Sequence, residues 1–171
     1  REFSGLIDPV LKITTNLQAM GIADDVIRAF QQAPGFTLSM RTDFVDALQK
    51  LAGVTGRSDV VALAATLKTA DQGLFLVRAL RMLVRYQQDV APLAALTAHG
   101  TVIATDASGA LFVPAPVDYV SWTERVSRFA QRDDLTAPKR SVWLSGRMTP
   151  RAKLEFVARG WTVREQATGR P

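Results

Sequence analysis

The spacing of apolar residues changes once along this chain, and that change limits the folds open to it. As far as about Ala98 they recur with the repeat of a helix that buries one face; after His99-Gly100 they come in short β-type runs bounded by Gly and Pro. The chain therefore reads as α+β. An N-terminal all-helical bundle is expected over residues 1–98, followed over residues 99–171 by a small α/β module of β-hairpin, helix and β-α-β, forming one mixed sheet. The 171 residues, 47% of them apolar, suffice for one large domain or two small ones.

Punctuation places the helices of the first half. Asp8 caps the first, with Pro9 at the position where a missing N–H costs nothing, and Gly21 ends it. The second spans Asp24 to Gln32. A third opens at Thr42 and presents Phe44, Val45, Leu48 and Leu51 on one face. Ser58 caps a fourth, which turns Val60, Val61, Ala64 and Leu67 inward. The fifth, from about Asp71 to Gln88, is apolar around most of its circumference and is expected to be the central helix. Pro92 kinks or ends it, and Leu93 to Ala98 read as a further turn or short helix.

In the second half, Thr101–Thr105 and Ala110–Val113 form a hairpin around Asp106-Ala107-Ser108-Gly109, with Gly109 where a positive φ is needed. Pro114 and Pro116 end that hairpin. Ser121-Trp122-Thr123-Glu124 has the spacing of a capping box for a helix reaching about Gln131. Ser141–Leu144, a helix opened by Thr149-Pro150, and Trp161–Val163 then make a β-α-β unit with parallel strands, followed by a frayed tail from Gln166.

Composition removes several chemistries. With no Cys, the chain has no disulfide, thiolate metal site or cysteine nucleophile; with one His, it has no two-histidine metal site. No metal, cofactor or catalytic set is assigned. Asp24-Asp25 and Asp133-Asp134 read as solvated caps or turns. The most apolar stretch, Leu74 to Tyr86, is interrupted by Arg78, Arg81 and Arg85, so no transmembrane segment is expected and the chain as given reads as soluble. Its opening Arg1-Glu2-Phe3 reads as an excised domain, a processed protein or a cloning scar, from which a signal, anchor or further domain would be missing. No compartment follows. Sixteen Arg against five Lys, with abundant Ala, suggest a bacterial origin.

One loop has the make-up of an anion site. Ser145-Gly146-Arg147-Met148-Thr149-Pro150 joins a strand end to a helix start, offering backbone N–H groups, hydroxyls from Ser145 and Thr149, close approach at Gly146, and cations from Arg147 and Arg151. The reading placed first for the same loop is an ordinary Thr-capped, Pro-started connection with solvated arginines, since it matches no phosphate-loop motif. The arginine stripe Arg78, Arg81 and Arg85 reads as the wet face of a core helix, and His99 as a junction residue without a catalytic partner in sequence. Trp122, Trp143 and Trp161 read as core side chains before a stacking platform.

The net charge of +5 lies almost wholly after Ala98, where 11 basic residues face 7 acidic ones. Such an excess without a nucleic-acid signature supports at most weak, salt-sensitive binding. The role expected first is therefore a non-enzymatic interaction or scaffolding domain of a larger or exported bacterial protein, with a protein partner. Second comes an anion-recognising domain, for nucleotide, nucleic acid or acidic lipid, using the loop and helix around residues 145–153. Third comes a hydrolase or transferase using a carboxylate or His99.

Overall fold

The computed structural model describes residues 2–167, with side chains from residue 9 onward. Five helices come first: α1 (Glu2–Ala19), α2 (Asp24–Gln31), α3 (Leu38–Gln49), α4 (Arg57–Ala65) and α5 (Ala70–Asp89). Then follow β1 (Leu93–Ala98), β2 (Val102–Asp106), β3 (Leu111–Ala115), β4 (Tyr119–Val120), α6 (Glu124–Ala130), β5 (Arg140–Leu144), β6 (Arg147–Met148), α7 (Pro150–Ala158) and β7 (Trp161–Arg164). The α+β reading holds, with the helices preceding a mixed sheet.

That sheet has five strands in the order β1-β2-β3-β5-β7; β1, β2 and β3 run as an antiparallel meander, and β5 and β7 add in parallel. Its two faces bury different things. Ala104, Phe112 and Trp143 join the helical bundle in one cluster, where the Tyr86 ring of α5 stacks on Phe112 at 4.4 Å. Ile103, Val113, Val142 and Leu144 point the other way, against Ala152 and Phe156 of α7 and Ala130 of α6. Strand alternation thus produces a layer of bundle, a layer of sheet and a layer of two helices. The fifth helix is central as expected, burying Leu76, Val77, Leu80, Leu83 and Tyr86 among others.

Several boundaries differ from the sequence reading. Leu93–Ala98 is strand β1, and the expected division after residue 98 falls between two paired strands. Its burial repeats every third residue because a bulge between Leu93 and Ala95 shifts the register, so Leu93 and Leu96 both face inward. The N-terminal helix runs through Pro9; the Asp8 side chain, expected as its cap, lies outside the described residues. The third helix starts earlier, capped by Thr37, and the fourth starts after Gly56 with no side-chain cap from Ser58. Pro114 sits inside β3, tolerated because the antiparallel ladder with β2 ends at the Phe112–Ala104 pair. Thr123, not Ser121, caps α6 by accepting from the Val126 N–H. Finally, Gln166 and Ala167 are tied by hydrogen bonds to Gly146 and Leu144, whereas the tail expected to fray continues beyond the described residues.

Candidate functional site

The strand β5 ends at Leu144 and α7 begins at Pro150, so the loop between them stands at the carboxyl end of a parallel strand, where open α/β sheets commonly receive ligands. Ser145, Gly146, Arg147, Thr149 and Arg151 are brought together there as the sequence implied. What their backbone donors do is different. The Gly146 N–H donates to Val117 O at 2.9 Å, Arg147 N–H to Asp118 O at 3.0 Å, and Thr149 N–H to Val120 O at 2.8 Å. These bonds make the small parallel pair β4–β6. Gly146 is required by that pair: a Cβ on it would meet the Asp118 carbonyl oxygen at 1.8 Å. The close approach is to the chain itself.

A fourth loop donor holds a carboxylate. Met148 N–H donates to Glu165 Oε2 at 2.9 Å, and Lys153 Nζ donates to Glu165 Oε1 at 3.1 Å. The Met148 hydrogen bond first, then Lys153 and the nearby Arg147 charge, hold the Glu165 carboxyl below the usual carboxylate range despite partial burial. The loop therefore binds an anion, and the anion is its own. Thr149 caps α7 through its hydroxyl, which accepts from Ala152 N–H at 3.0 Å. Arg151 lies 3.6 Å from Glu155, and Arg147 is exposed. Glu165 carries no local motif, its one signal in the sequence being that it is the sole carboxylate after the last strand, and the Pro114–Tyr119 segment, which reads from sequence as a rigid connector, supplies the Val117 and Asp118 carbonyls that hold the loop.

The other basic and aromatic residues of this half are largely paired with one another. Arg140 stacks over Trp161 at 4.7 Å, Arg159 over Trp122 at 4.9 Å and Arg164 over Trp143 at 4.4 Å, and the Trp161 indole N–H donates to Ala130 O. Arg140 also donates to the carbonyls of Leu135 and Arg159. Of the arginine stripe on α5, Arg81 pairs with Asp43 and Arg85 with Asp89, both exposed pairs of small energetic weight.

Asp106 is the buried charged side chain among the described residues, 4% exposed. Its Oδ2 accepts from the Tyr86 hydroxyl at 2.7 Å, and its Oδ1 accepts from the Ser108 N–H, the Ser108 hydroxyl and the Ala110 N–H. Burial alone would raise its pKa, yet these bonds together outweigh burial and keep the carboxyl below its ordinary value. Burial, then the hydrogen bond and charge of Asp106, push the Tyr86 phenol upward. The group pins the β2–β3 turn to the central helix.

His99 lies exposed in the β1–β2 turn. It lines a groove of about 450 Å³ with Asp59, Thr66 and Thr97, and a neighbouring groove of about 340 Å³, walled by Leu67, Phe75, Leu76 and Val102, shares Leu63 with it. Among the described residues no group of His, Asp and Glu gathers as metal ligands would, and no helix is long and apolar enough to cross a membrane. No protein-family model, no curated protein and no solved structure matches this chain.

Proposed function

We propose that the chain is a non-enzymatic interaction or scaffolding domain, part of a larger or exported bacterial protein, whose partner is another protein. The observation that supports this reading is the state of the candidate loop: the N–H groups of Gly146, Arg147 and Thr149 are taken by the segment around β4 and that of Met148 by Glu165, so the loop works as a clasp that ties the end of β7 to the start of α7. Asp106 is likewise spent on holding a turn. The groups with the strongest chemistry thus serve the fold, while large apolar side chains remain at the surface, Leu154 at 68% and Val157 at 55% exposed. The anion-recognising reading would require an outside ligand to displace Glu165 from Met148 and Lys153.

The test pairs capture with an activity screen. The chain is used to isolate a protein from its source cell, the complex is rebuilt from purified components, and its stoichiometry is measured by calorimetry. In parallel, ester and phosphoester hydrolysis is assayed for the chain and for His99→Ala and Asp59→Asn. The expected result is a saturable complex of fixed stoichiometry and no turnover that depends on those residues. Turnover abolished by either substitution would overturn the reading.

A further inference from the structure

We propose that the open edge of β7, with the outward face of α7 above it, is the docking surface for an acidic, extended segment of the partner, which adds to the sheet as a further strand; this rests on the interaction reading above. The two edges of the sheet are treated differently. The β1 edge is covered by the α3–α4 connection, where Thr55 N–H donates to Ala94 O at 3.0 Å and Leu96 N–H donates to Thr55 O at 2.7 Å. The β7 edge pairs with β5 on one side, and no described strand lies on the other. Unpaired backbone groups along a sheet edge are a template for another chain.

Side chains around that edge specify what would fit. Trp161 and Val163 face the α7 side of the sheet, where they belong to its cluster, while Thr162 and Arg164 are exposed and Arg164 lies over Trp143 on the opposite face. On α7, Ala152 and Phe156 point to the core, and Lys153 reaches Glu165 just past β7. Val157 follows Lys153 by one turn on the same helix flank, so it too lies on the β7 side, with Leu154 beside it on the outer surface. The opposite flank faces α6, where Arg159 covers Trp122. An added strand would place alternate side chains against Val157 and Val163 and the others beside Arg164. Apolar and acidic residues in strict alternation satisfy both faces.

Charge decides between occupants. Over residues 139–167 seven cations face two carboxylates, and both carboxylates are already paired, Glu155 with Arg151 and Arg159, Glu165 with Lys153. A second copy of this chain would bring like charge to like. An anionic lipid surface would meet the charge but leave the strand's N–H and C=O groups unpaired, which an extended peptide does not.

Hydrogen exchange of the whole chain tests this, with a short peptide alternating Glu and Val as probe and one alternating Lys and Val as control. With the Glu/Val peptide, amide exchange within Thr162–Arg164 should slow by about tenfold or more, Val157→Glu should weaken binding about tenfold without altering the urea midpoint, and Arg164→Glu should also weaken binding about tenfold. The surface is overturned by unchanged β7 exchange, by equal binding of the Lys/Val peptide, or by full affinity in both variants. It is also overturned if β7 protection grows with the concentration of the chain alone, or if phosphatidylglycerol vesicles bind through α7 while β7 amides stay open. A stoichiometric protein complex whose footprint misses β7 would overturn this surface and leave the interaction reading standing.

Discussion

Removing the Asp106 carboxylate should cost a large part of the stability of this fold, because four hydrogen bonds end on this buried side chain, two of them from donors that are themselves buried. In Asp106→Ala the Tyr86 hydroxyl and the Ala110 N–H lose their acceptor inside the protein. Each stranded donor costs about 1–3 kcal/mol, which puts the loss near 4 kcal/mol, against a total of about 5–15 kcal/mol for a typical domain. The Ser108 donors are partly exposed and can turn to water. Asp106→Asn keeps the oxygen used by Ser108 and Ala110 and can offer an N–H to the Tyr86 hydroxyl, so about 1–2 kcal/mol is expected, the loss of charge assistance. Urea unfolding followed by tryptophan fluorescence measures both, since the Trp143 ring lies 5.6 Å from Tyr86. The pH dependence has a fixed sign. A carboxyl held below its ordinary value adds stability that is present above about pH 4 and is lost as the pH falls through its folded pKa. The wild type should therefore lose stability on acidification over that window, and Asp106→Asn should flatten this limb. An Asp106→Ala variant within about 1 kcal/mol of the wild type, or an acid limb unchanged in Asp106→Asn, would refute the reasoning.

Two glycines should fail for different reasons. Gly109 has φ +89° with nothing near its missing Cβ, so Gly109→Ala should cost only the left-handed conformation, about 1–2 kcal/mol by thermal unfolding. Gly146→Ala drives a methyl into the Asp118 backbone and should cost more, about 3 kcal/mol, with loss of the β4–β6 pairing in amide exchange; equal costs would show that the β4 segment yields easily. Inorganic phosphate titrated into the wild type should leave the Gly146, Arg147 and Thr149 amide shifts unmoved, because their protons are held by Val117, Asp118 and Val120. In Glu165→Gln the Lys153 contact loses its charge and phosphate should shift the Met148 amide alone. Movement of the whole loop in the wild type would restore the anion-site reading.

Element types were legible wherever local signals and burial agree. The hairpin with Gly109 at its turn, the parallel β5-α7-β7 unit and the Thr149 cap all follow from spacing and turn chemistry. β1 was not legible, for a physical reason: Leu93-Ala-Ala-Leu-Thr-Ala has the spacing and composition of a helix, and only the bulge that lets both leucines face inward reconciles it with a strand. Ser121 has capping-box spacing, yet the short β4–β6 pair sets where the chain turns, and Thr123 is the residue left facing the first turn of α6. The charge excess was legible as a number but not as positions, since Arg140, Arg159 and Arg164 are stacked on Trp rings, which fixes where their charges lie without removing them.

The loop makes the same point with more consequence. Gly, hydroxyls, cations and a helix start are sequence-local features, and together they mark only a candidate anion site. Whether the site is open depends on a residue far along the chain, and that residue is positioned by the register of β7 against β5, which brings Glu165 over the Met148 N–H. The register is fixed in turn by Trp161 and Val163, whose burial against α7 forbids a one-residue slip. A single strand register therefore closes the loop with Glu165, while the place of β7 at the end of the strand order leaves its outer side without a partner strand among the described residues.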